Sequence, residues 1–140
     1  MILLDTNVIS ALMQRDADSV VVGWLDAQAP ESIWTTSVTV FEIRLGLEIM
    51  ASGRKRRLLE EAFRDSLEKD LEGRIVPFDE ASAHAAARIA AERRRLGKSI
   101  DFRDVQIAGI AAARKASIAT RNTRHFAGLG PAIINPFSPG

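Results

Sequence analysis

Five short apolar runs alternate along this chain with longer segments of helical periodicity, and this alternation constrains the fold more than any other feature. The runs lie at 2–4, 33–36, 75–78, 117–120 and 132–134. Each is too short for a helix and has the character of a buried strand. Strands that alternate with helices predict a parallel sheet with helices on both faces. We therefore predict a single α/β domain over residues 1–135 with about five short strands, followed by a C-terminal tail at 136–140.

The helical segments are expected at 8–14, 19–28, 38–50, 55–71, 79–96 and 101–115. In the third of them, Phe41, Leu45 and Ile49 follow helical spacing and are expected to form its buried stripe. The last segment is the most uniformly apolar, so we expect it to be largely buried.

The composition limits the chemistry and the location of the protein. The chain has no cysteine, so disulfides and thiolate ligands are excluded and any metal must be held by oxygen or imidazole. No apolar stretch approaches the roughly 18–20 residues of a membrane span. The first residues have neither the basic start nor the long apolar core of a signal peptide. We therefore expect a cytoplasmic protein without a membrane partner.

Charge is unevenly distributed, although the formal net charge is only +1. Acidic residues predominate between Glu60 and Glu80, and basic residues predominate between Arg88 and Arg124. One interpretation is a set of solvated helix faces. The other is a basic surface that faces a polyanion. Charge alone leaves both open.

Asp5 directly follows the first strand, with Thr6 and Asn7 behind it. A helix N-cap would account for one such residue. It gives no reason for three polar residues at the end of a buried strand, and parallel sheets bind ligands beyond the carboxyl ends of their strands. Asp5 is therefore a candidate site residue, with Thr6 and Asn7 in support.

Glu42 and Asp104 are further candidates, and each has a structural alternative. The segment from Thr39 to Glu42 matches a capping box, which would explain the glutamate on its own. Asp104 stands three residues after Asp101, the natural N-cap of the most apolar helix, and would be its acidic companion. An acid at the mouth of a buried helix nevertheless needs a partner, and a cation is the simplest one.

A single functional interpretation accounts for all three acids, because they lie at strand ends or in first helical turns on one edge of the predicted sheet. Clustered carboxylates raise one another's pKa values unless a cation offsets their charge. Mg²⁺ and Mn²⁺ prefer carboxylate and water oxygens. We therefore predict a catalytic metal site with Asp5 and Asp104 as direct ligands, in which Glu42 either binds the metal, directly or through water, or orients the attacking water.

The segment after the fourth strand reaches the same edge. Thr120 and Asn122 are expected to support the site by hydrogen bonds, and Arg103, Arg121 and Arg124 are candidates for contacts to phosphate. His125 is either a structural or surface residue or a member of the site.

These residues carry a family resemblance that spans essentially the whole chain. The segments 4–10, 40–46, 104–108 and 120–126, with Asn135-Pro136-Phe137 near the end, resemble the successive motifs of PIN-domain proteins in their order. The similarity is greatest to the VapC toxin group, and within it to the FitB-like branch.

The resemblance implies a PIN-like nuclease domain with Mg²⁺- or Mn²⁺-dependent ribonuclease activity. It also implies a homodimer and a toxin that is neutralised by a small antitoxin from a neighbouring gene. Asp5, Glu42 and Asp104 fall on the family's acidic metal-site residues. A fourth acid is usual between Arg124 and Phe126, where this chain has His125. A second metal is therefore expected to bind more weakly, and His125 is free to contact phosphate or to carry a proton.

The predicted function is hydrolysis of RNA phosphodiester bonds by the toxin of a toxin–antitoxin pair. The alternative is a catalytically weak PIN-fold module that binds RNA or the antitoxin, which the histidine at position 125 favours. An aspartyl phosphotransferase would also place an aspartate after the first strand. Such enzymes usually carry a second aspartate two residues on, and this chain has Asn7 there.

Overall fold

The computed structural model describes residues 1–139, and its strands and helices follow the predicted alternation. Gly140, the last residue of the predicted tail, lies outside the described residues. The strands are β1 (Ile2–Leu4), β2 (Ile33–Thr36), β3 (Ile75–Val76), β4 (Ser117–Ala119) and β5 (Ile133–Ile134). The helices are α1 (Thr6–Met13), α2 (Ser19–Asp26), α3 (Ser37–Ile49), α4 (Arg54–Asp65), α5 (Glu80–Arg95), α6 (Phe102–Arg114) and α7 (Thr123–Phe126).

The five strands form one parallel sheet in the order β3-β2-β1-β4-β5, which confirms the predicted architecture. β1 is central, and the chain continues to β2 on one side of it and reaches β4 on the other. Such a reversal of strand order opens a crevice at the carboxyl ends of the two strands involved. Asp5 follows β1 and Thr120 follows β4, so both lie at this crevice.

Two apolar cores cover the two faces of the sheet. Successive side chains of a strand point to opposite faces, so Leu3 packs in one core with residues of α6, and Leu4 packs in the other with residues of α1 and α3. This burial on both faces explains why most strand residues are apolar. Within residues 1–139, none of the helices combines the length and the apolar character needed to cross a membrane.

Most element boundaries differ from the prediction by one or two residues, the short helix α7 was not predicted, and two differences have a clear physical character. β3 ends at Val76, because Pro77 has no N–H to donate to a neighbouring strand. The helix expected over 55–71 is α-helical only to Asp65 and continues as a π-helical segment, Ser66–Asp70. α6 is buried over most of its length, as predicted.

The predicted buried stripe of α3 is wrong. Phe41, Leu45 and Ile49 are 67%, 46% and 75% exposed. The buried residues of this helix are Thr39, Ile43 and Leu47. Both sets recur every four residues, so α3 has two apolar faces, and only its packing against α1 and the sheet determines which one is buried.

α6 approaches α5 very closely at Gly109. A Cβ atom there would lie 2.6 Å from the Cβ of Ala86 and 2.6 Å from the carbonyl oxygen of Ser82. Glycine therefore allows the two helices to pack together, and this contact fixes the position of α6, whose first turn reaches the crevice.

Candidate active site

Asp5 stands at the centre of the crevice and is only 1% exposed. Its Oδ1 accepts a hydrogen bond from the backbone N–H of Thr6 at 2.8 Å, so it occupies the N-cap of α1, as the structural alternative predicts. Its Oδ2 accepts from the hydroxyl of Thr120 at 2.8 Å. The carboxylate also pairs with the guanidinium of Arg103. Capping and participation in the site are therefore compatible for Asp5.

A polar network joins the ends of β1 and β4 around Asp5. The amide Nδ2 of Asn7 donates to the Thr120 hydroxyl at 3.2 Å and lies 3.5 Å from Oδ2 of Asp5. The Asn7 side-chain oxygen accepts from the backbone N–H of Arg121 at 2.9 Å, and the Thr120 hydroxyl accepts from that of Asn122 at 3.0 Å. These bonds hold the Asp5 carboxylate in one orientation.

Glu42 lies on helix α3. This helix begins earlier in the chain than a capping box from Thr39 to Glu42 would require. α3 starts at Ser37, and its N-cap is Thr36, whose hydroxyl accepts from the backbone N–H of Thr39 at 3.1 Å. Thr39 is therefore inside the helix, and the alternative explanation of Glu42 is wrong. The Glu42 side chain is 35% exposed and faces Nε of Arg103 within ion-pair distance, although not with the geometry of a hydrogen bond.

Asp104 lies in the first turn of α6 and is 5% exposed. Asp101 caps this helix by accepting from the Asp104 backbone N–H at 3.0 Å, as predicted. The Asp104 carboxylate accepts from Nη1 of Arg103 at 2.9 Å and lies 3.4 Å from Nδ1 of His125. Burial, followed by the charge of Asp101, raises the pKa of Asp104 in spite of the opposing effects of Arg103 and His125.

Arg103 is the cation on which all three acids converge. Its three guanidinium nitrogens face Asp5, Glu42 and Asp104 respectively, and Nη2 also donates to the Thr6 hydroxyl at 3.1 Å. Burial opposes its charge, but the carboxylates outweigh burial and raise the pKa of the guanidinium. Because Arg103 lies between the acids, no three metal-ligating side chains within residues 1–139 are grouped so as to hold an ion in this conformation.

The other predicted site residues do not all lie in the crevice. Thr6, Asn7, Asn122 and His125 line the crevice together with the acids. The side chain of Arg121 points away from the crevice. Its guanidinium stacks on the ring of Phe137, 3.6 Å from the ring centroid.

Arg124 lines a depression beside the crevice that also includes Asp104 and His125. Its side chain is therefore near the acids without contacting them.

Sequence reasoning missed the central position of Arg103. It required a cation beside Asp104 and assigned that role to a metal, whereas in this structure the neighbouring residue fills it. The signal was present, because an arginine adjoins a buried acid at the mouth of the most apolar helix.

A parallel sheet whose central strand ends in a buried aspartate, joined at its crevice by acids from two helices, defines the PIN-domain class. The PIN domain family model matches residues 2–130. The chain belongs to this family.

Relatives of known name match the chain over nearly its full length. VapC ribonuclease Y4jK of Sinorhizobium fredii is 38% identical over 139 residues, which is 99% of either chain. Toxin FitB of Neisseria gonorrhoeae is 38% identical over 137 residues, covering 98% of this chain and 99% of the other. The crystal structure of FitAcB from Neisseria gonorrhoeae superposes with a TM-score of 0.87 and covers 98% of this chain and 99% of that one. The predicted resemblance is confirmed.

Proposed function

We propose that this protein is a divalent-metal-dependent endoribonuclease that acts as the toxin of a toxin–antitoxin pair. The observation that carries the proposal is the convergence of Asp5, Glu42 and Asp104, from three separate elements, on one cation in the crevice. One of the two full-length relatives is a VapC ribonuclease and the other is the toxin FitB, which supports the same proposal.

The donor set suits Mg²⁺ or Mn²⁺, because it consists of carboxylate and hydroxyl oxygens without thiolate. Three carboxylates surround one guanidinium, so Arg103 leaves negative charge without compensation. A divalent cation would offset more of the charge, and Arg103 would have to leave the cluster for it to bind.

We expect Asp5 and Asp104 to hold the metal, with Glu42 bound directly or through water because it is the most exposed of the three. When bound, the ion supplies a Lewis acid for the phosphate and for the attacking water. Thr120 and Asn7 keep the Asp5 carboxylate oriented through their hydrogen bonds. We propose that these residues also hold it during turnover.

Two further side chains are available to the substrate. Arg103, once released from the acids, presents a guanidinium that can bind a phosphate through two parallel hydrogen bonds. His125 is about half exposed at the rim of the crevice and is placed to contact phosphate or to hold a proton.

The purified protein should cleave single-stranded RNA in Mg²⁺ or Mn²⁺ and should stop when EDTA is added. Asp5→Asn keeps the size and capping ability of the side chain but removes its charge, so we expect cleavage to fall at least about 100-fold, equivalent to about 2.7 kcal/mol. Gel analysis of a labelled RNA measures the rate, and circular dichroism checks that the variant is folded. Undiminished cleavage by Asp5→Asn would refute the assignment.

A second candidate function is a binding module with little catalysis. It is favoured by His125, which stands where the family usually has a fourth acid, and by Arg103, which fills the acid cluster. Growth of a bacterium after induction separates the two. Arrest that disappears with Asp5→Asn supports the enzyme, whereas arrest that persists supports binding alone.

We propose that the partners are an RNA substrate and a small antitoxin encoded by a neighbouring gene, both met in the cytoplasm. We also propose a homodimer, because α3 leaves Phe41, Leu45 and Ile49 exposed in a row. Contiguous apolar patches of this kind mark interaction surfaces.

A further inference from the structure

A continuous groove leads from the crevice along the C-terminal part of α5. A first depression shares Asp104 and His125 with the crevice. A second depression continues it and shares Arg93 and Leu129 with the first. We call this path the basic groove, after the side chains Arg88, Arg93, Lys98, Arg124 and His125 that line it.

Local backbone structure fixes part of this groove. α5 ends in a Schellman motif, in which the N–H of Lys98 donates to the carbonyl of Arg93 at 2.9 Å and that of Gly97 donates to the carbonyl of Arg94 at 3.0 Å. The motif requires the left-handed conformation of Gly97, whose φ is +70°. It turns the chain back so that Lys98 lies beside the last turns of α5. Nε of Arg93 donates to the carbonyl of Ser99 at 2.9 Å, which orients its guanidinium.

The four arginine and lysine side chains of the groove form no ion pairs with the described residues, although the acids Asp101 and Glu92 also line the groove. Within 1–139, Arg88, Arg93, Lys98 and Arg124 lie beyond ion-pair distance of every carboxylate. The acid on this side of α5, Glu92, pairs with Arg95 instead.

The α3–α4 surface is different. There Arg44 and Arg56 are both paired with Glu48 and Glu60. The basic groove is therefore a path of arginine and lysine side chains without ion-pair partners that begins at the acids of the crevice.

We propose that the basic groove binds the phosphates of single-stranded RNA next to the bond that is cut, an inference that rests on the proposed ribonuclease function. A phosphate chain complements a row of unpaired arginines and lysines. The strand must be single, because Asp5 and Asp104 are 1% and 5% exposed and the phosphate to be cut has to enter the crevice. A stacked A-form duplex presents its phosphates on a rigid surface, whereas a single strand can bend into a cleft.

Contacts to phosphate position a strand without reading its sequence. The groove should therefore contribute affinity that depends on RNA length and salt, and it should leave the choice of base to other parts of the protein. Each phosphate contact to a single strand changes the slope of log K against log salt by about 0.7.

The test measures binding separately from cleavage. Asp5→Asn protein is titrated, with fluorescence anisotropy as the readout, into a labelled single-stranded RNA of about 12 nucleotides over a range of KCl concentrations. Adding Arg93→Gln and Lys98→Gln together should weaken binding about tenfold or more and reduce the salt slope by about 1.4. The same RNA annealed to its complement should bind more weakly than the single strand.

The matched control is Arg54→Gln with Lys55→Gln, which removes the same charge from two exposed residues that begin α4 and line a different depression. It should leave the affinity within about twofold and the slope unchanged. An equal loss in the control would mean that net charge alone binds RNA and would overturn the proposal. Duplex binding as tight as that of the single strand would also overturn it.

Failure of the groove and failure of the proposed function give different results. If wild-type protein cleaves RNA and the groove variant binds RNA as the parent does, the groove proposal is refuted while the ribonuclease stands. Such a result would assign these cations to another anionic partner, such as an acidic protein segment. If no RNA is cleaved but groove-dependent binding is measured, the ribonuclease assignment fails and the groove stands.

Discussion

At the scale of single residues, Arg103 has the largest effect on the chemistry of the crevice. It neutralises part of a cluster of three buried or half-buried acids, and clustered acids without a counter-charge would destabilise the fold. The same guanidinium lies between the oxygens that a metal would need. We therefore expect it to stabilise the metal-free protein and to compete with a metal ion for the acids.

Arg103→Gln should increase the affinity for Mn²⁺ by about tenfold or more, because the apparent affinity of a site falls with the fraction of time that the site is open. The metal-free variant should also unfold at a lower temperature, and Mn²⁺ should raise its Tm more than that of the wild type. Calorimetric titration and thermal unfolding measure the two effects. Arg114→Gln, which breaks an ion pair with Asp79 away from the crevice, is the control and should respond to Mn²⁺ as the wild type does. A lower affinity for Mn²⁺ in Arg103→Gln would contradict the competition.

Much of the candidate site could be predicted from local sequence, and the exceptions have physical reasons. Asp5 and Asp104 could be placed because each directly follows or begins an element with a clear apolar pattern. Glu42 was ambiguous because a capping box depends on where the helix starts, and two threonines, Thr36 and Thr39, both fit that start. The position of Arg103 depends on side-chain geometry across three elements, which no local pattern contains.

At the scale of elements, the packing of α5 on α6 sets the position of Asp104. The contact at Gly109 leaves no space for a side chain, and α6 is buried almost throughout. A displacement of α6 would therefore move its first turn away from β1 and separate Asp104 from Asp5.

Gly109→Ala should destabilise the protein by about 1–3 kcal/mol, because the new methyl group would overlap backbone and side-chain atoms of α5. Gly46→Ala in α3 is the matched control, since nothing lies within 4 Å of a Cβ atom there. That change should be neutral or stabilise by about 0.5–1 kcal/mol through helix propensity. Urea unfolding of both variants measures the difference. Equal stability of the two variants would show that α5 can move away without cost.

The start of α5 gives a pH-dependent prediction. Asp79 accepts from the hydroxyl and the backbone N–H of Ser82, and these bonds, followed by the charge of Arg114, hold its pKa below the ordinary value of 3.8. Because the pKa of Asp79 is lower in the folded protein, its ionised carboxylate stabilises the fold above pH 3.8. This stabilisation is lost as the pH falls through the pKa of Asp79 in the folded protein.

Asp79→Ala should therefore lower the Tm at neutral pH, and the difference from the wild type should shrink once the pH falls below 3.8. Thermal unfolding between neutral and acidic pH measures it. Asp16→Ala, at an exposed aspartate, should show a smaller and less pH-dependent effect. A difference for Asp79→Ala that stays constant with pH would exclude a contribution from its charge.

Strands and helices could be predicted best where the apolar pattern allowed only one way to bury the element. The five strands and their parallel direction could be predicted from the apolar runs and from the alternation with helices. The exposed face of α3 could not be identified, because Phe41, Leu45 and Ile49 repeat with the same period as the residues that are buried. Which face packs inward depends on the placement of α1 and the sheet.

At the scale of the whole molecule, the exposed face of α3 predicts self-association. We expect a dimer in light scattering at micromolar concentration, because contact with a second copy would remove the exposed apolar side chains of α3 from water. Phe41→Glu with Ile49→Glu should give a monomer without loss of secondary structure, since both side chains are exposed. Val20→Glu, at an exposed apolar residue of α2, is the control and should remain a dimer. A wild-type monomer at these concentrations would refute the dimer.

The central position of β1 also has a consequence during synthesis. Asp5 and its hydrogen-bond partner Thr120 are 115 positions apart, and β1 cannot pair with β4 until residues 117–119 have been made. At about 5–20 residues per second, the ribosome needs about 6–23 seconds to cover that interval. If the protein is the ribonuclease toxin proposed above, its active site cannot be completed while the first four-fifths of the chain are being made. A chain that terminates before the fourth strand carries Asp5 without Thr120, the partner that orients its carboxylate.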